Sequence, residues 1–208
     1  MPIDEPQNAR GRRTREALLR TTRRLIEEQG FESLTLASVA EAAGVSPRAL
    51  YLHFRSRSDL LTTVYRHLGE SEDLAVSLSR VWASPDSRSA LVEWAAHIAR
   101  SHPRILAISR AIERARFTDP DAEALWNLTM RNWLASCTRL ATWLHDEGQL
   151  AEPWTVQSAA DLLWTLMSWD VTERLVVSRR WSRRRYAEGF ADLLLSTFTH
   201  VAPSPTRL

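Results

Sequence analysis

Lysine is absent from this chain of 208 residues: every one of its 27 basic side chains is arginine. A bias of that kind belongs to genome composition and carries no functional reading. Cysteine is nearly absent too. Cys137 stands alone, which excludes an intrachain disulfide and fits a reducing, cytoplasmic setting, with the thiol read as a small buried group. The six glycines, at 11, 30, 44, 69, 148 and 189, are scattered, so there is neither a phosphate-cradling loop nor a dinucleotide turn. No stretch approaches the roughly 18 consecutive apolar residues of a membrane span, so no membrane partner is expected. The opening MPIDEPQNARGRRTR has no apolar segment behind its charges, so no secretory signal is expected. H-E-x-x-H, C-x-x-C and G-x-S-x-G are missing, His97 and His102 fall on different helix faces, and Asp146 and Glu147 are consecutive. No catalytic residues, metal site or cofactor follow from this, and the expected protein is not an enzyme.

A hydrophobic content of 44% against 25% charged residues describes a soluble globular chain with material for a real core. The net charge of +2 is too small to imply nucleic-acid binding by itself. Its distribution says more. Arg10, Arg12, Arg13, Arg15, Arg20, Arg23 and Arg24 meet only Glu16 within their own stretch, whereas arginines and acids balance beyond residue 71.

Just past that basic stretch comes Thr35 to Phe54, TLASVAEAAGVSPRALYLHF, which reads as two short helices and a tight turn. Thr35 is a good N-cap, and Leu36, Val39, Ala40 and Ala43 recur at helical spacing. Gly44 stops the first helix where the backbone needs positive φ. Ser46 and Pro47 restart a helix at once, as cap and first helical residue. Leu50 and Phe54 point inward together, which leaves Pro47, Arg48, Ala49, Tyr51 and Leu52 near the outer surface. Short turn, glycine and small crossing residues are the helix-turn-helix pattern, whose second helix lies in the DNA major groove. An ordinary helical hairpin is the bland alternative, but it has no use for this outer-face chemistry.

The run AGVSPRALYLHFRSRSDLL, with its Tyr51-Leu52-His53-Phe54 element, resembles the DNA-binding segment of the TetR family of bacterial transcriptional regulators. The resemblance reaches back to about Thr14 and, more weakly, covers the whole chain. One departure is Arg57, where the family commonly has lysine; the charge is kept and the donor geometry changed. The resemblance implies double-stranded operator DNA as a partner. Arg48, Ala49 and Pro47 are then expected at base edges, with Ser46 capping the reading helix. Thr35, Tyr51, His53 and Arg57 are expected on phosphates, where they set register rather than sequence.

Taken in order, residues 1–13 are expected to form a flexible basic arm. Residues 14–60 form the helix-turn-helix domain: a first helix from Thr14 to Gln29 with Leu18, Thr22, Leu25 and Ile26 inward, Gly30 ending it, and Phe31 packing back. Residues 61–208 form a larger helical effector-binding and dimerisation domain. A capping-box-like start at Ser56-Arg57-Ser58-Asp59 opens a fourth helix with Leu60, Leu61, Val64, Tyr65 and Leu68 as its stripe. Further helices are expected at about 71–82, 86–101, 103–117, 121–147, 154–178 and 182–200, punctuated by Pro85, Pro103, Pro120, Gly148 and Pro153. No sustained two-residue alternation exists, so the fold is expected to be all α.

All nine tryptophans lie between Trp82 and Trp181. Trp94, Ile98, Leu106, Trp126, Met130, Trp133, Trp164 and Met167 fall on inner faces of successive helices. Flat and flexible side chains of this kind line apolar cavities or fill cores. The resemblance implies a small-molecule effector there, hydrophobic or aromatic by the lining. His97, Glu113, Asn127 and Asp170 are polar candidates for orienting it. In the last two helices Leu162, Leu166, Trp169, Phe190, Leu194 and Phe198 belong to more than one apolar face, which suggests a partner subunit. The family pairs such helices with those of a second copy. The expected protein is thus a homodimeric, ligand-responsive transcriptional repressor on a near-palindromic operator. Two alternatives stay open: an activator of the same fold, and a helical adaptor that binds only protein.

Overall fold

The computed structural model describes residues 8–30, 33–71 and 74–200, and within them every regular element is helical. Their one β-type pairing is an isolated bridge between Leu150 and Thr199. The all-α expectation holds. The chain divides into two compact units, the first made of Met1–Glu72 with Ile105–Leu128, the second of Asp73–Arg104 with Thr129–Leu208. The expected boundary after residue 60 cuts through a helix, Arg57–Ser71, that lies wholly in the first unit. A linear cut fails because two long helices lend their adjoining ends to that unit.

In the first unit, α1 (Ala9–Gln29) begins earlier than expected. The arm foreseen over residues 1–13 is helical from Ala9, because the Asn8 side chain accepts the Gly11 N–H at 2.7 Å and caps the first turn. Residues 1–7, and Phe31, lie outside the described residues. Leu18, Leu19, Leu25 and Ile26 form the buried stripe of α1, and Thr22 joins them by donating its hydroxyl to the Leu18 carbonyl at 2.8 Å. Then come α2 (Leu36–Ala42), α3 (Pro47–Tyr51) and α4 (Arg57–Ser71). Leu60, Leu61, Val64 and Leu68 of α4 are buried, while Tyr65 is only half-buried. At the start of α4 Ser56 accepts the Asp59 N–H, and Asp59 reaches back to the Arg55 N–H, both at 3.0 Å.

After α4, α5 (Leu74–Trp82) in the second unit precedes α6 (Ser87–Ala115), a single helix where two were expected, whose end from Ile105 belongs to the first unit. Pro103 offers no N–H to the Ala99 carbonyl, a defect of about 3 kcal/mol in a helix interior. Leu91, Trp94 and Ile98 before it, and Ile105, Ile108 and Ile112 after it, are all buried. Burying each such side chain contributes about 1.5–3 kcal/mol, so the continuous stripe outweighs the proline. Next come α7 (Pro120–Asp146) and α8 (Val156–Leu166). The single helix expected over 154–178 is broken at Ser168, which is extended at φ −56°, ψ 145°. After it come α9 (Trp169–Thr172), a π-helical turn (Glu173–Ser178) and α10 (Arg183–Phe198). The break has a packing reason. Met167 and Trp169 are both nearly inaccessible, whereas a continuous helix would point residues two apart about 200° away from each other.

Phe190, Leu194 and Phe198, expected at a dimer interface, are buried in the core of the second unit, and Trp169, expected there too, is buried against His102 and Trp133. The apolar stripe of α10 is there, and Tyr186, Phe190, Leu194 and Phe198 form its inward face. Leu162 and Leu166 remain half-buried. Cys137 is fully buried with its Sγ 3.4 Å from Met167 Sδ. One layer of the unit joins His102 to Thr172 (3.2 Å) and Thr172 to Tyr186 (3.1 Å), with His102 stacked on Trp133. Its other end is tied by Glu147 accepting the Ser87 N–H at 2.9 Å and by Arg88 donating to Thr199.

Candidate nucleic-acid interface

The reading segment is built from its caps outward. Thr35 and Ser38 form a reciprocal capping box, with the Ser38 N–H donated to Thr35 Oγ1 at 2.9 Å and the Thr35 N–H to Ser38 Oγ at 3.0 Å. Gly44 turns the chain at φ +67°, and the Val45 N–H closes on the Ala40 carbonyl at 3.0 Å. A Cβ at Gly44 would meet no atom within 4 Å. Gly44→Ala is therefore expected to cost about 1–2 kcal/mol through left-handed backbone strain alone, measured as the shift in a urea unfolding midpoint.

Ser46 accepts the Ala49 N–H at 3.2 Å, and Pro47 occupies the first turn of α3. Leu50 and Phe54 are fully buried, so the opposite face is left outside. Thr35, Ser46, Pro47, Arg48 and Tyr51 are exposed; Ala49, His53 and Arg57 are half-exposed. All eight expected contact residues thus lie on the first unit with surface to offer. Ser46 spends its oxygen on the cap. Leu52, at 69% exposed, is the large apolar group that stands out furthest here.

Behind this face Arg15 acts as a clamp. It donates to the His53 carbonyl at 2.9 Å, and its guanidinium sits 4.7 Å from the centre of the Phe54 ring. Burial, and then the charge of Arg15, hold His53 below the ordinary imidazole value of 6.5. At neutral pH the ring is therefore mostly neutral. The basic surplus of α1 is smaller than sequence suggested, because Arg20, Arg23 and Arg24 pair with Glu16, Glu27 and Glu28 one helical turn away. Arg10, Arg12 and Arg13, nearer the start of the helix, are all exposed.

A groove of about 450 Å³, which sequence reasoning missed, also lies in the first unit. Arg55 just before α4, with Asp59 and Arg66 of α4, lines it together with Asp121, Leu125 and Leu128 of α7. The pairing joins segments more than fifty residues apart, and nothing local in the sequence signals it.

The expected effector residues do not form one set. Trp94, Ile98 and Met167 are buried in the core of the second unit, with Trp133 packed against them. Trp164 is 36% exposed and donates its indole N–H to the carbonyl of half-buried Met130 at 3.2 Å. Leu106 and Trp126 belong to the first unit, where the Arg116 guanidinium covers the Trp126 ring at 4.8 Å. Of the polar candidates, His97 bonds Ser77 at 2.9 Å, Glu113 pairs with Arg110, and Asn127 and Asp170 are exposed. Among the described residues no helix is long and apolar enough to cross a membrane.

Comparison with known proteins follows the same segment. The family profile of bacterial regulatory proteins, tetR family, matches residues 18–67. The chain is 38% identical over 63 residues to the HTH-type transcriptional regulator AcrR of Shigella flexneri, a match covering 28% of this chain and 29% of AcrR. It is 28% identical over 153 residues to the HTH-type transcriptional regulator EthR of Mycolicibacterium smegmatis, covering 72% of this chain and 68% of EthR. The match thus spans less than a third of AcrR but about two thirds of EthR. In fold it is similar to NalD of Pseudomonas aeruginosa, described as the secondary repressor of the MexAB-OprM multidrug efflux pump. There the TM-score is 0.73 at 21% identity, over 91% of this chain and 98% of NalD.

Proposed function

We propose, from the premise that the chain belongs to the TetR family of bacterial regulatory proteins, that it is a DNA-binding transcriptional repressor. It acts as a homodimer and leaves a near-palindromic operator when a small hydrophobic or aromatic effector binds. The observation that carries this is α3: a capped five-residue helix whose inner side is anchored by Leu50 and whose outer side presents Arg48 and Tyr51. Arg48 is the base-reading side chain, with Ala49 and Pro47 permitting close approach; Thr35, Tyr51, His53 and Arg57 take phosphates. Two copies related by a two-fold axis would set their reading helices roughly 34–36 Å apart, one DNA turn. The outer faces of α8 and α10 suit that pairing, since Leu162, Leu166 and the exposed Leu193 are still available there.

The effector belongs to the second unit, in the cluster of Trp94, Ile98, Trp133 and Met167. It shifts the dimer out of the DNA-competent state only by as much as its affinity differs between the two states.

Selection of duplexes from a random DNA pool tests the reading directly. An enriched two-fold symmetric motif supports it; weak, unselective and salt-labile binding would leave α3 as scaffold and favour a protein-binding adaptor. On the selected site, Arg48→Ala is expected to cost about 1–3 kcal/mol and to relax preference at one base pair. Tyr51→Phe is expected to weaken all sequences alike. Base-selective loss in Tyr51→Phe would contradict its phosphate role.

A further inference from the structure

Between the π-helical turn and the first turn of α10, the segment from Arg179 to Arg185 holds five arginines, and all five are exposed. Among the described residues only Glu188 comes near one of them, 3.8 Å from Arg184, with both side chains mostly in solvent. Such a pair contributes little. Arg179, Arg180 and Arg183 have no acidic partner among the described residues. Like charges held this close oppose folding unless a counter-charge is supplied from outside.

The segment is also held in shape without a ligand. The Arg179 N–H bonds the Arg174 carbonyl and the Trp181 N–H the Leu175 carbonyl, each at 2.9 Å. Arg180 takes the left-handed conformation, φ 56°, and Ser182 caps α10 by accepting the Arg185 N–H at 3.2 Å. The Trp181 ring lies against Gly189, where a Cβ would come within 3.2 Å of it, and the Arg185 guanidinium covers the same ring at 4.4 Å. The indole therefore lies under the Arg185 charge, and all five arginines are open to solvent.

Position within the second unit adds to this. Thr172 and Tyr186, which flank the segment, share a layer with His102 and Trp133. That is the end of the unit where the chain leaves at Arg104 and returns at Thr129; the tie of Ser87 to Glu147 marks the other end.

We propose that the Arg179–Arg185 segment is a second, sequence-independent contact to the DNA phosphate backbone. The inference rests on the chain being a DNA-binding regulator, because that reading supplies the polyanion. Several exposed guanidiniums on one short segment suit a row of phosphates. A lipid surface is the poorer fit, since the segment's large apolar group, Trp181, is half-buried under Arg185 and not free to insert.

The test uses a random-sequence duplex and the full chain, comparing wild type with a variant carrying Arg179→Gln, Arg180→Gln, Arg183→Gln and Arg184→Gln. All four positions are on the surface, and circular dichroism checks that the fold is kept. The slope of log affinity on log salt is expected to shrink by about 2–4, with affinity at low salt falling about tenfold or more. The matching four-lysine variant should keep the wild-type slope. An unchanged slope in the glutamine variant overturns the proposal. So does loss of binding to vesicles of anionic lipid with the DNA slope intact, which would assign the patch to a membrane. Operator selectivity is scored separately on the selected motif, so failure of the base reader and failure of this contact give different results.

Discussion

Phe54→Ala is expected to lower stability by about 3–5 kcal/mol, the range for emptying a buried aromatic site. Phe54 is fully buried, closes the inner side of the reading segment with Leu50, and carries the Arg15 guanidinium on its ring. Removing the ring leaves a void and frees the clamp that fixes the His53 carbonyl. Because typical domains are stable by only about 5–15 kcal/mol, the substitution should also abolish DNA binding at moderate temperature. Urea unfolding followed by far-ultraviolet circular dichroism measures the loss. A change below about 1 kcal/mol would mean that the segment holds its shape without its aromatic anchor.

The second large effect is acid sensitivity. Burial pushes His102 down to about 3, and burial together with nearby Arg100 pushes His97 down to about 4. Both lie below the ordinary 6.5, so in the folded chain these rings stay neutral where the unfolded chain has already protonated them. The unfolded state then binds more protons, and stability rises with pH. The contribution is complete above pH 6.5 and is lost as pH falls below it toward the folded values. Two such groups make the slope approach about 2.7 kcal/mol per pH unit, and the loss between neutrality and pH 5 is about 4 kcal/mol. Unfolding free energies measured from pH 7.5 to 5 should show this, and His97→Gln should halve the slope. A flat profile would mean that both rings protonate in the native state.

The reading segment was legible because its determinants are local. Thr35, Gly44, Ser46 and Pro47 each act within four residues of themselves, and the structure has every cap and turn where those residue types put them. Elsewhere the deciding terms were non-local. Pro103 reads as a helix stop, yet burial on both sides of it carries α6 through. Nothing near Ser168 announces a break, because the break serves to bury both Met167 and Trp169. For the same reason the apolar positions of α10 read equally as a subunit interface, whereas Phe190, Leu194 and Phe198 are covered by their own chain. An apolar stripe states that burial is required, not which surface provides it.

Cys137 has a practical consequence. Its thiol is pushed up to about 12 by burial, and no solvent reaches it. Thiol reagents need an accessible thiolate, so the natural chain should be silent to maleimides at neutral pH while folded. A single probe placed by Leu52→Cys on the reading face, or by Val177→Cys beside the arginine segment, would then report alone, since both positions are more than half exposed. Footprinting and distance measurements on DNA can thus be made in the natural background, with no native cysteine to delete first.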